Sequence, residues 1–259
     1  MNVLILGDIF GRPGRGIVAQ CLPELLKAYQ PELVVANGEN AAGGFGLTRK
    51  VAEELFALGI NVLTSGNHIW DQKEMYTYIE QEPRILRPGN YPPQVPGSFV
   101  YIYRSQNAVV AVMNLIGRTF MGDYDCPFRT ADTILSSLPE GVTHVIVDFH
   151  GEATSEKIAL ARYLDGRISA LVGTHTHVAT ADEQILPKGT AYITDLGMCG
   201  PVHGILGVDP EAVIGKFLTQ LPSRFTVAKG PAAMSGVVIT LNNDGTAEKI
   251  FRVKVDNFS

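Results

Sequence analysis

Ile168-Ser169-Ala170-Leu171-Val172-Gly173-Thr174-His175-Thr176-His177 joins an apolar run to a glycine and then to two histidines two positions apart. A short apolar run of this kind reads as a strand. Side chains alternate along an extended backbone, so His175 and His177 share a direction and can reach one cation or an adjacent pair. The arrangement recurs elsewhere in the chain. Residues 3–6 end in Gly7-Asp8, residues 33–36 in Asn37-Gly38-Glu39-Asn40, residues 60–63 in Thr64-Ser65-Gly66-Asn67-His68, and residues 145–147 in Asp148-Phe149-His150. Open α/β sheets bind ligands beyond the carboxyl ends of their strands. Five runs delivering Asp, Glu, Asn and His to that end predict a polynuclear metal site.

Each residue also has an ordinary reading. Asp8 can cap a helix after Gly11. Glu39 and Asn40 precede a glycine-rich loop, where polar residues are common. Asn67-His68 suits a turn, and His150 suits a hydrogen-bonded core position. Taken together, these readings need five separate coincidences at strand ends. Gly7, Gly38, Gly66 and Gly173 stand one or two positions before the polar residues, which permits close backbone approach. Gly11-Arg12-Pro13-Gly14-Arg15-Gly16 has neither dinucleotide-loop nor P-loop spacing. Arg12 and Arg15 form either a small basic spot or a solvated helix start.

The remaining pattern sets the architecture. Helices are expected over 14–29 and over 48–58, the second with Thr48 as cap and Gly59 at its end. Asp71-Gln72-Lys73-Glu74 has capping-box spacing and predicts a helix to about residue 79. A proline-marked crossing follows, then a hairpin of residues 99–103 and 109–115, and a long loop around Gly122-Asp123-Tyr124. Strand 144–149, helix 155–164 and strand 168–172 restore the alternation. Strands over 192–195, 237–241 and 250–255, a helix over 210–218 and the Asn242-Asn243-Asp244-Gly245 turn complete the chain. Mixed α/β layers, with two sheets face to face and helices outside, fit this order. No repeat or linker breaks it, so residues 1–259 are expected to form a single domain.

Composition narrows the class. Of 259 residues, 46% are hydrophobic and 18% charged, enough for a large core. A net charge of -5 argues against a broad nucleic-acid footprint. The apolar start is too short for a secretory signal, and no run approaches a membrane span. Cys21, Cys126 and Cys199 are scattered and odd in number, which suits a reducing compartment. A cytoplasmic protein is expected.

The ordered blocks Gly7-Asp8, Gly38-Glu39-Asn40, Gly66-Asn67-His68, His150 and Gly173-Thr174-His175-Thr176-His177 resemble those of the calcineurin-like metallophosphoesterases. Asn37-Gly38-Glu39-Asn40, Gly66-Asn67-His68-Ile69-Trp70-Asp71 and Asp148-Phe149-His150 with Glu152-Ala153-Thr154-Ser155-Glu156-Lys157 resemble the bacterial YmdB-like branch, as does Thr194-Asp195-Leu196-Gly197-Met198. The resemblance covers nearly the whole chain. It implies a four-layer α/β/β/α sandwich of two mixed sheets with two divalent metal ions at its edge. By carry-over, Asp8, Glu39, Asn40 and His177 surround one ion. Glu39, Asn67, His150 and His175 surround the other, with Glu39 shared. Phe10 stands where most relatives have the histidine of Asp-x-His, and Glu39 replaces the usual shorter Asp. Ile69 follows His68 where an acid is usual. Asp71 can orient His68, but its spacing favours the helix cap.

The resemblance further implies a phosphodiesterase acting on a small cyclic nucleotide, with 2′,3′-cyclic nucleotides as the first assay. A hydroxide bridging the ions would attack phosphorus, and His68 would assist the leaving oxygen. Carboxylate, carboxamide and imidazole donors admit Fe, Mn, Zn, Co or Ni. The alternatives are a phosphomonoesterase, including a phosphoprotein phosphatase, and a metal-dependent nucleotide-binding regulator with little turnover. RNA enters only as a substrate, no membrane partner is expected, and a homo-oligomer is compatible. Tyr124 or Phe128, on the loop over 118–129, is available either for stacking on a base or for ordinary packing.

Overall fold

The computed structural model describes residues 1–256; the last three residues of the expected 1–259 unit lie outside the described residues. The elements in chain order are β1 (Asn2–Leu6), β2 (Asp8–Ile9), α1 (Gly11–Tyr29), β3 (Leu33–Asn37), α2 (Arg49–Ala57), β4 (Val62–Thr64) and α3 (Met75–Gln81). Next come β5 (Val100–Arg104), β6 (Val109–Ile116), α4 (Pro127–Ser137), β7 (His144–His150), α5 (Thr154–Leu164) and β8 (Ala170–Thr174). The chain continues through β9 (Gln184–Ile185), β10 (Ala191–Ile193), β11 (Met198–Pro201), α6 (Pro210–Thr219), β12 (Ala232–Leu241) and β13 (Ala247–Asp256).

Two sheets result. One runs β2-β11-β12-β1-β3-β4, with β13 also on β12; the other runs β5-β6-β7-β8-β10-β9. In the first, β1 lies parallel to β3 and antiparallel to β12. In the second, β6, β7, β8 and β10 are parallel. Alternation within strands builds the layers. Val3, Ile5, Leu33 and Val35 share one core with Val110, Val112, Ile146 and Val172, which closes sheet on sheet. Leu4, Leu6 and Val34 face α1, α2 and α3 in a second core. Met113, Val147 and Leu171 pack with residues of α4 and α5 in a third. The layer order is therefore α/β/β/α, as the sequence resemblance implies.

Several boundaries differ from expectation. Helix α1 starts at Gly11 instead of residue 14, because Pro13 falls in the first turn, where its missing N–H is no loss. Thr48 does cap α2, accepting from the Val51 N–H. The helix expected from Asp71 begins only at Met75 and has no side-chain cap. Strands β2, β9 and β11 have no counterpart in the sequence pattern; with two to four residues each, they lack a readable alternation.

One buried ion pair ties the layers to the site edge. Lys157 of α5 is fully buried, and its Nζ donates to the Thr174 carbonyl at 2.9 Å and to Asp195 at 2.7 Å. Asp195 in turn accepts from the backbone N–H groups of Thr176 and Gly197. Helix α5 is thereby clamped to the segment that carries both histidines of the opening motif. Removing one member of such a pair strands the other charge in a low-dielectric interior. Lys157→Met is expected to lower unfolding free energy by about 3–5 kcal/mol, read from urea denaturation.

Candidate metal centre

Strand ends from both sheets meet at one edge. Glu39 follows β3 and His150 ends β7, yet Glu39 Oε1 and His150 Nε2 are 3.1 Å apart. The same Nε2 lies 3.1 Å from Asn67 Oδ1 and 3.0 Å from His175 Nδ1. Glu39, His150 and His175 form the one His/Cys/Asp/Glu group of metal-holding geometry found among the described residues. Atoms that share a cation at about 2.1 Å in cis positions sit about 3 Å from one another. The observed spacings fit that arrangement.

A second group lies alongside and is looser. Asp8 Oδ1 is 3.8 Å from His177 Nε2, and Asn40 Nδ2 is 3.1 Å from Glu39 Oε1 and 3.3 Å from His177 Nε2. A half-turn of the Asn40 carboxamide would present its oxygen instead, with no backbone movement. Asp8 Oδ1 is buried and has no hydrogen-bond partner, whereas Oδ2 accepts from the His175 N–H. An orphaned buried carboxylate oxygen is costly unless something positive faces it. The oxygen and nitrogen donor set therefore fits divalent cations of the Fe, Mn or Zn kind. All seven residues expected as ligands from the sequence, namely Asp8, Glu39, Asn40, Asn67, His150, His175 and His177, are brought to this edge.

A layer of hydrogen bonds fixes these groups. Thr174 Oγ1 donates to Asp148 at 2.7 Å and so accepts from His150 Nδ1 at 3.0 Å, leaving Nε2 directed at the cluster. Asp148 also accepts from Thr64 and Asn37. His177 Nδ1 donates to the Leu206 carbonyl, which frees its Nε2. Exposed Glu152 meets His175 Nε2 at 3.2 Å. Such outer partners set tautomer and ring orientation. Both His175 (φ 103) and His177 (φ 65) occupy the left-handed region, an uncommon state for a residue with a Cβ. The Lys157–Asp195 clamp holds that strained segment.

Two corrections concern side-chain roles. Asp71 is not a helix cap: its Oδ2 accepts from His68 Nδ1 at 2.8 Å, because the turn over 68–74 brings the carboxylate back onto the ring. Asp8 does not cap α1 either; Phe10 occupies that position without a side-chain bond. Phe10 is buried with Val208 and Val213, and its ring meets His177 edge-on at 5.4 Å. Packing thus supports the His177 ring. His144 bonds Thr143 and the Asn242 carbonyl, away from the cluster. Burial pushes the Cys199 thiol up to about 12, so it is inert; Cys126 precedes α4 and is half-buried.

Electrostatics follow the crowding. Burial raises the Asp8 carboxyl to about 6 against the pull of His177 and His150. Burial also acts upward on Glu39, but His150 and His68 outweigh it and hold the carboxyl at about 2. For His150 burial acts downward, and Glu39, Asp8 and Asp148 more than offset it, raising the ring to about 9. Burial and neighbouring His150 press His175 down to about 3.

Comparison with known proteins agrees with this fold. The fold and donor set define a phosphatase-type α/β/β/α protein. A solved structure described as a novel phosphatase from Mycoplasma pneumoniae superposes with a TM-score of 0.94 at 33% identity, covering 99% of this chain and 93% of that one. A hypothetical protein from Thermus thermophilus gives a TM-score of 0.94 at 40% identity over 99% of both chains. The family model for YmdB-like protein matches residues 4–253, and the chain belongs to that family. A Bacillus subtilis (strain 168) protein named 2′,3′-cyclic-nucleotide 2′-phosphodiesterase is 48% identical over 258 residues, 99% of this chain and 98% of that protein.

Two outcomes test the centre. A Cβ at Gly66 would overlap the His150 ring and the Glu39 carboxylate, so Gly66→Ala should abolish metal retention, read by elemental analysis of folded protein. In metal-free protein His150 carries a proton at pH 7, because its pKa lies near 9. Ligation must expel it, so Mn²⁺ binding should release about one proton at pH 7 and strengthen as pH rises towards 9. Calorimetry in two buffers of different ionisation enthalpy measures both.

Proposed function

We propose that the chain is a divalent-metal-dependent phosphodiesterase for small cyclic nucleotides, with 2′,3′-cyclic nucleotides as the first substrate to assay, and that residues 1–259 act as one catalytic unit. At the coarser level it is a phosphoric ester hydrolase, in keeping with its family and its named relatives. The finer reading is carried by one observation: Glu39, Asn67 and His175 all converge on His150 Nε2 within 3.1 Å, beside an Asp8 oxygen that has no hydrogen bond.

Two divalent ions would be held by Asp8, Glu39, Asn40 and His177 and by Glu39, Asn67, His150 and His175, with Glu39 common to both sets. When bound, such ions supply Lewis acidity towards phosphoryl oxygens and a more acidic water. His68 follows Asn67 on the rim. Its N–H donates to Glu39 Oε2 and its ring rests edge-on against Phe45. With Nδ1–H donated to Asp71, the doubly protonated ring would present Nε2–H as the donor to the departing oxygen. In the net reaction water adds its oxygen to phosphorus, the P–O2′ bond breaks, one proton reaches O2′, and a 3′-monoester remains.

Paired variants test the reading. Glu39→Gln should lose both metal and turnover. His68→Ala should keep its metal while hydrolysis of 2′,3′-cyclic nucleotides falls by about 10²–10⁴-fold. Elemental analysis beside steady-state rates separates the two effects, and full activity in metal-replete Glu39→Gln would sink the shared-ligand role.

A further inference from the structure

Next to the cluster, residues 117–125 form a loop that is pinned at both ends. The Gly117 N–H donates to the His150 carbonyl at 2.8 Å, so the loop leaves directly from a strand end that carries a candidate ligand. Glu156 of α5 accepts from the Arg118 and Thr119 backbone N–H groups. At the far end buried Asn90 donates to the carbonyls of Ile116 and Asp125, and the Asp125 N–H returns a bond to the Asn90 carbonyl. The loop is therefore organised before any ligand arrives, which lowers the entropy lost on binding.

A cavity of about 500 Å³ opens among Arg118, Thr119, Gly122, Asp123, Tyr124, Asp125 and Glu156, large enough for a nucleoside, and Tyr124 is its one aromatic ring. Tyr124 lines it and is steadied by Tyr91, ring centroids 5.0 Å apart; Tyr91 in turn meets Trp70 at 6.2 Å. Burial, Tyr124 and the Glu39 carboxylate all push the Tyr91 hydroxyl upward, so Tyr91 lies within electrostatic reach of Glu39. At the loop tip Phe120 is 88% exposed with φ 62, a strained residue displaying an apolar ring to solvent. Phe128, the other aromatic suggested by the sequence, packs on Tyr163 and into the outer core.

We propose that the 117–125 loop is the nucleoside-recognition element of this site, with the substrate's base stacked on Tyr124 in the cavity beside Arg118. This rests on the nucleotide phosphodiesterase reading above and extends it to the part of the substrate remote from phosphorus. Every base offers a π-face, so stacking gives affinity with broad base tolerance.

The test is calorimetric titration of the metal-loaded full chain with adenosine 3′-monophosphate and with ribose 3-phosphate, which lacks the base. Wild type should bind the nucleotide about tenfold or more tightly than the sugar phosphate, the factor expected for one stacked base. Tyr124→Leu should narrow that gap about tenfold, and Tyr124→Phe should restore it. Equal binding of the two ligands by wild type, or an unchanged gap in Tyr124→Leu, overturns the proposal. If Tyr124→Leu does not fold, the wild-type comparison alone decides. A base-dependent gap without hydrolysis of 2′,3′-cyclic nucleotides leaves the recognition loop standing and removes the phosphodiesterase reading. Hydrolysis without the gap does the reverse.

Discussion

Two carboxylates and two imidazoles drawn together at one point impose the constraint on which the site depends. Asp8, Glu39 and His150 are essentially inaccessible to solvent, and His175 beside them is partly buried. Such a collection is stable only if each charge is answered nearby. In the protein alone the Glu39–His150 pair provides part of that answer, while one oxygen of Asp8 has no hydrogen bond and only the more distant His177 and His150 rings to face. The chemistry of these groups therefore asks for a cation. The surrounding hydrogen bonds of Asp148, Thr174 and Asn37 hold the groups in the pose that would receive one.

The scaffold sustains this crowding by dividing the labour between rigid and irregular segments. Parallel strands of two face-to-face sheets end at the same edge and fix the positions of Glu39 and His150. The strained turn after β8 adds His175 and His177, held in place by the buried Lys157–Asp195 pair. On the far side of His177 an apolar cluster around Phe10 backs the ring. Orientation by packing and orientation by hydrogen bonding thus meet on the same ring.

Much of this is legible in the sequence where local periodicity speaks. The apolar runs of β1, β3, β6 and β7, the Thr48 cap and the glycines before four of the five polar groups all carry over into the fold. Asp71 shows where such reading fails. Its spacing to Glu74 mimics a capping box, but a turn, not a helix, follows, and the carboxylate goes to His68. The roles of Asp148 and Asn37 are hidden for a different reason: each sits within or at the end of an apolar strand, and their partners lie far along the chain. Lys157 has the local setting of an ordinary helical lysine, and only the packing of α5 over β8 buries it.

The amino-acid order by itself determined the mixed α/β layers and the strand ends that carry polar groups, from which the family resemblance singled out seven candidate ligands. Those properties follow from short-range patterns, because alternation and turn residues act within a few positions. Tertiary structure decided the distances between donors, the tautomer each ring is held in, and the pairing of His68 with Asp71. It also decided which aromatic residue faces the cavity and which joins the core. Such outcomes depend on segments far apart in the chain, 167 residues in the His175–Asp8 bond, and no local pattern encodes how two sheets align when they pack.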